Sequence, residues 1–172
     1  MSALRDLMLA RPGLTLAAAE SATCGRLQAA IGAISGASAF FSGGMTAYTL
    51  EQKVRHLGVN RAEARAVSCV SAGVAEQMAR GACRLFGASL GVATTGYAEP
   101  PRKGVAPFVW WAVAHRTAGG RCAVRSGRAA FPGAGRTRVQ ELAAAAALAA
   151  LEEFIAGLPP AKRSRPVRAR SG

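Results

Sequence analysis

The chain has little cysteine, little histidine, few acids and no long apolar run, and each shortage closes off a class of function. Its four cysteines, at 24, 69, 83 and 122, form no CxxC pair, and neither His56 nor His115 stands at metal-ligand spacing from them. No metal is expected, and the four thiols are expected free, in or near the core, in a reducing compartment. No apolar stretch approaches the roughly 20 residues that span a bilayer. The opening "MSALRDLMLARPGL" carries Asp6 and lacks a cleavage-site pattern, so the expectation is a soluble, cytoplasmic protein without a membrane partner.

Acids are the scarcest charged residues: nine Asp and Glu against 22 Lys and Arg, a net charge of +13. The last fourteen residues, "PPAKRSRPVRARSG", hold five of the basic residues and no acid. Pro, Gly and Ser surround those charges without apolar patterning, so 159–172 reads as a disordered basic tail offering weak, salt-sensitive contact to polyanions. The remaining arginines are scattered and form no helix-turn-helix or RNA-binding signature, so no specific nucleic-acid partner is expected. Residues 1–158 are left as one domain, long enough to build a core without staples.

What is present is an alternation of strands and helices. "LTLAAA" (14–19) reads as a buried strand ended by the polar turn Glu20-Ser21-Ala22-Thr23. Leu27, Ala30, Ile31 and Ile34 then share a helix face that closes at Ser35-Gly36. A short strand in "GGMTAY" leads to a helix over 50–57 carrying Lys53, with Gly58 as its stop. Asn60 and Glu63 have capping-box spacing, and Ser71 caps a helix whose Val74, Met78, Ala82 and Leu85 share a face. Strands follow at 89–96, 107–115 and, at an edge, 121–128. A long helix over 137–156 is expected to pack Val139, Leu142, Ala146 and Ala149. This order implies an α/β fold, a three-layer α/β/α sandwich with a mixed sheet.

Ligands of such sheets sit at the carboxyl ends of strands. Three segments offer the small, hydroxyl-bearing and glycine residues that let backbone N–H groups approach a ligand: "ESATCG" with Ser21 and Thr23, "TTGYAEP" with Thr95 and Gly96, and the stretch from Ser38 to Lys53. A serine becomes a nucleophile when a base takes its proton, and a desolvated lysine can be that base. Without further support, Ser38 would read as a turn residue and Lys53 as a solvated helix lysine.

"AAAESATCG", "GASAFFSGGMTAYTLEQKVRHLGV", "ATTGYAEP" and "FPGAGRTRVQELAAAAAL" resemble, in order, the four blocks of the CinA carboxyl-terminal domain family, the nicotinamide mononucleotide amidohydrolases. The resemblance implies a three-layer α/β/α domain of the stand-alone form. It also implies hydrolysis of the carboxamide of nicotinamide mononucleotide to nicotinate mononucleotide and ammonia, with no cofactor, in a homo-oligomer taken as a dimer. The family's serine–lysine pair falls on Ser38 and Lys53, with Ser21 assisting. Tyr48, Thr23, Thr95, Gly96 and Arg136 fall on substrate contacts, Arg136 as the phosphate's forked partner.

A lysine serving as base at neutral pH needs a pKa far below its reference value near 10.4, which burial supplies. Phe40, Phe41, Met45 and Val54 are the expected apolar wall, and Ser21 or N–H groups of the first loop the expected oxyanion donors. Two departures from the family pattern stand on ligand loops: Cys24 replaces a glycine of the first block and Glu99 a glycine of the third. They leave open a hydrolase of another small amide, or a catalytically silent ligand-binding protein.

Overall fold

The structure, a computed structural model, describes residues 3–117 and 119–159. The basic segment from residue 160 onward lies outside the described residues. After a short helix α1 (Ala3–Leu9) the chain runs β1 (Leu16–Glu20), α2 (Arg26–Gly32), a 3-10 turn (Ala37–Ala39) and β2 (Phe41–Thr46). Then come α3 (Leu50–Leu57), α4 (Arg61–Ala66), α5 (Ala72–Phe86), β3 (Leu90–Tyr97), β4 (Phe108–Arg116), β5 (Cys122–Ala130) and α6 (Arg136–Ala156).

The strands form one sheet in the order β2-β1-β3-β4-β5. β1 pairs in parallel with β2 and β3, whereas β4 runs antiparallel to both β3 and β5, so the sheet is mixed as expected. Every residue of β1 is buried because helices cover both faces, which is why it reads as an unbroken apolar run. Its alternate residues serve two cores: Leu16 and Ala18 join the layer of α1, α2 and α6, while Ala17 and Ala19 join that of α3, α4 and α5. The parallel run of β1, β2 and β3 brings their carboxyl ends to one edge of the sheet, which positions the site described below.

Helix ends follow the sequence closely. Thr49, Asn60 and Ser71 each accept the N–H three residues on, and Gly58 ends α3 in the left-handed conformation at φ 63°. Only half of the Asn60–Glu63 box forms, since the Asn60 N–H donates to Gln77 Oε1 at 2.6 Å.

Helix faces are less faithful. Ala30 and Leu85 are exposed, at the margins of their stripes. α6 buries Val139, Ala143, Ala144, Ala147, Ala150 and Leu151 rather than the expected Leu142, Ala146 and Ala149. Alanine surrounds that helix, so hydropathy marks no stripe and the face is chosen by which alanines fit against the sheet.

One close approach sets the spacing of α5 over the sheet. Gly91 of β3 lies beneath α5, and a Cβ built there would overlap the carbonyl oxygen of Ala79 and sit 2.9 Å from Cys83 Sγ. Gly91→Ala therefore forces helix and strand apart, with an expected loss of about 2–3 kcal/mol and a melting temperature lower by roughly 5–10 °C in thermal denaturation. An unchanged melting temperature would contradict this packing.

Candidate active site

Ser21 follows β1 directly, Ala47 and Tyr48 follow β2, and Thr95 to Tyr97 close β3, with Ala98 and Glu99 just beyond. These segments, with the first residue of α6, surround a pocket of about 290 Å³ lined by Ser21, Lys53, Cys69, Thr95, Glu99 and Arg136 among others. Lys53 enters it from α3 and is 1% exposed, an unusual position for an ammonium group. Its Nζ donates to the Ala47 carbonyl at 2.8 Å, the Tyr48 carbonyl at 3.0 Å and the Ser21 hydroxyl at 2.9 Å. No carboxylate among the described residues forms an ion pair with it. Burial holds the Lys53 pKa below the ordinary lysine value, opposed in part by the neighbouring Cys69.

The three partners constrain what Lys53 can do. Two are backbone carbonyls, which only accept. A neutral amine keeps two N–H donors and one lone pair. With both donors held by the carbonyls, the lone pair is left facing the Ser21 hydroxyl, the one partner that can donate a proton.

The expected pairing of Ser38 with Lys53 is not found. Ser38 is exposed on the 3-10 turn that precedes β2, whereas Lys53 reaches the edge where β2 ends. The length of β2 lies between them, roughly 20 Å at ~3.3 Å per residue. The serine beside Lys53 comes instead from the neighbouring parallel strand, 32 positions away in sequence. Phe40 and Phe41 are likewise not its wall, since they pack in the layer of α1, α2 and α6.

Thr23 does not face the pocket. Its fully buried hydroxyl donates to Glu20 Oε2 at 2.5 Å, and therefore accepts from Thr94 in their 2.7 Å contact. Thr95 lines the pocket but donates its proton to the Cys69 carbonyl at 2.6 Å. Gly96 also lines it, although the missing side chain serves the sheet: a Cβ would overlap the Phe108 carbonyl oxygen on β4. Tyr48 and Arg136 meet at the rim, where Arg136 donates to the Tyr48 phenol oxygen at 3.0 Å and to Glu99 Oε2 at 2.8 Å. Both contacts raise the Arg136 pKa, the phenol's more than the carboxylate's.

Sequence reasoning missed Glu20. Its carboxylate, fully buried, accepts the N–H groups of Gly25, Leu27 and Gln28 at 2.8–3.0 Å, besides the Thr23 hydroxyl. It thus caps α2 from the preceding strand, because the N-cap residue Gly25 has no side chain to do so. An acid at the end of an apolar strand, five residues before a glycine N-cap, was the available signal. Cys24 sits in the same turn at φ 50°, a left-handed conformation that glycine would adopt without strain. It is exposed rather than in or near the core. Ser68 and Cys69, at φ 50° and 63°, place two further left-handed residues on the pocket wall. Gln140 of α6 completes the frame, donating to the Ala22 carbonyl at 3.0 Å.

A larger depression of about 1070 Å³ lies at the opposite edge of the sheet, near Thr15, Ser89 and His115. Burial lowers the His115 pKa, and no carboxylate or nucleophile among the described residues lines this depression with it apart from the hydroxyls of Thr15, Ser89 and Thr117. The buried lysine and its serine line the smaller pocket.

Glu20→Ala should remove the acceptor of three N–H groups and cost about 3 kcal/mol or more, seen as a melting temperature lower by roughly 10 °C. Glu20→Gln, which keeps one acceptor oxygen, should lose less. Equal melting temperatures for all three chains would contradict the capping role.

Against known proteins, the curated relatives match along one stretch. A CinA-like protein of Chlorobium limicola is 43% identical over 93 residues, 54% of this chain and 22% of that one. The chain thus matches about a fifth of the length of such relatives. Solved structures match over more. The competence damage-inducible protein A of Klebsiella pneumoniae superposes with a TM-score of 0.77 at 34% identity, covering 91% of this chain and 94% of that one. A CinA superfamily protein of Escherichia coli gives a TM-score of 0.77 at 30% identity, covering 88% and 87%. Residues 2–155 match the CinA C-terminal domain, and with the fold and these neighbours in agreement the chain belongs to the CinA family.

Proposed function

We propose that the pocket hydrolyses the carboxamide of a pyridine nucleotide, nicotinamide mononucleotide, with Ser21 as nucleophile and Lys53 as its base. The observation that carries this reading is the buried contact between Lys53 Nζ and Ser21 Oγ at 2.9 Å, with both remaining lysine donors committed to carbonyls. Neutral Lys53 takes the Ser21 proton as Oγ attacks the amide carbon. The Ala22 N–H, adjacent to the nucleophile and without an acceptor among the described residues, is the donor available to the oxyanion. The lysine ammonium then gives its proton to the departing nitrogen, ammonia leaves, and an acyl ester remains on Ser21. Water, deprotonated by the same lysine, cleaves the ester to release nicotinate mononucleotide and restore the serine.

The substrate's phosphate is read at the start of α6. That helix has no side-chain cap at its N-terminus, so its first N–H groups offer donors to an anion, and the Arg136 guanidinium, held by Tyr48 and Glu99, joins them once those contacts open. No step requires a metal or an organic cofactor.

Ser21→Ala and Lys53→Ala should each lower ammonia release from nicotinamide mononucleotide by at least about a hundredfold. The double variant should cost little more than either alone, since the two act as one unit. Lys53→Arg should be nearly as harmful because guanidinium stays protonated, whereas Ser38→Ala should turn over as the parent does. The neutral form of Lys53 is the active one and burial lowers its pKa, so the rate should rise with pH through that lowered value and then level off. Full turnover by Ser21→Ala, or a rate that falls over the same pH range, would overturn the assignment.

A further inference from the structure

The rim of the pocket joins three elements: Tyr48 after β2, Glu99 after β3 and Arg136 at the start of α6. Arg136 uses one terminal nitrogen for Glu99 Oε2 at 2.8 Å and the other for the Tyr48 phenol at 3.0 Å. Both ends of the guanidinium fork, the surface on which a phosphate would dock, are therefore occupied from within the chain. Glu99 is the one acidic side chain lining this pocket among the described residues.

From this we infer that Glu99 is a specificity-determining residue, an internal anion that competes with a substrate phosphate for Arg136 and so lowers the preference of the pocket for phosphorylated ligands. The inference deepens the proposed function and rests on its placing of the phosphate at Arg136. Two physical effects act together. The pair must open before a phosphate takes the fork, and this costs little, because its side chains are 47% and 65% exposed. The displaced carboxylate then stays tethered within a few ångströms of the bound phosphate, and like charges at that distance repel appreciably even near a wet surface. The second effect outlasts the first, so Glu99 weakens phosphate binding without blocking it.

An ordinary surface ion pair would have no such consequence, and ligand binding separates the two cases without reference to turnover. Ribose 5-phosphate is titrated into the full chain, Glu99→Gln and Glu99→Gln/Arg136→Gln, with dissociation constants read by calorimetry or by amide chemical shifts. Glu99→Gln should bind on the order of tenfold more tightly than the parent chain, which is about 1.4 kcal/mol, and the double variant should lose that gain. Glu99→Gly, which removes the side chain altogether, should show the same gain as Glu99→Gln. Equal affinity in parent and Glu99→Gln, a gain that survives loss of Arg136, or no binding to either chain at millimolar ligand would each overturn the inference. A chain that releases no ammonia from any amide yet shows the expected series of affinities would refute the proposed hydrolysis and leave the role of Glu99 standing.

Discussion

The arrangement of this protein around its pocket follows from one costly act, the burial of the Lys53 amine. An ammonium removed from water without a counter-ion is strongly disfavoured and tends to lose its proton instead. Here the carboxyl end of β2 supplies two carbonyls and β1 supplies a hydroxyl, which satisfies the donors without supplying a negative charge. That combination keeps the group hydrogen-bonded in either protonation state while leaving its charge unbalanced. A carboxylate in place of either carbonyl would have produced a stable ion pair and an inert lysine.

Such a site works only if the serine does not drift, and the surrounding polar network holds it. Glu20 ties the end of β1 to the first turn of α2 through three N–H groups. Thr23 and Thr94 link that carboxylate to β3, and Gln140 fastens the following carbonyl to α6. Ser21 thus sits between a strand, two helices and a neighbouring strand. The left-handed Cys24 sits within this frame and costs roughly 1–2 kcal/mol relative to a glycine there, a strain the network around it sustains.

Much of this architecture is legible in the sequence. The alternation of strands and helices led to the right architecture because each periodic signal was local. The caps at Thr49, Asn60 and Ser71 are equally local and formed where the chain marked them or next to where a helix was expected. The buried face of α6 was not legible, since alanine on every side carries no directional information. The partner of Lys53 was misread for a different reason. Matching the family's blocks put the serine on Ser38, 15 positions from Lys53, but a strand intervening between two residues carries them to opposite edges of a sheet, whereas parallel neighbours bring distant residues to the same edge. Glu20 escaped notice because an acid beside a serine looks like part of a polar loop, and only the fold shows its oxygens turned inward onto the helix.

We propose that Lys53 activates Ser21 and no other side chain of the pocket. It is tested most directly by treating the protein with a fluorophosphonate, in which serine oxygen displaces fluoride from phosphorus, and mapping the adduct by peptide mass spectrometry. A single adduct is expected on Ser21, forming faster as pH rises and absent from Lys53→Ala. An adduct on Ser38, or labelling of Ser21 that proceeds equally well without Lys53, would contradict it.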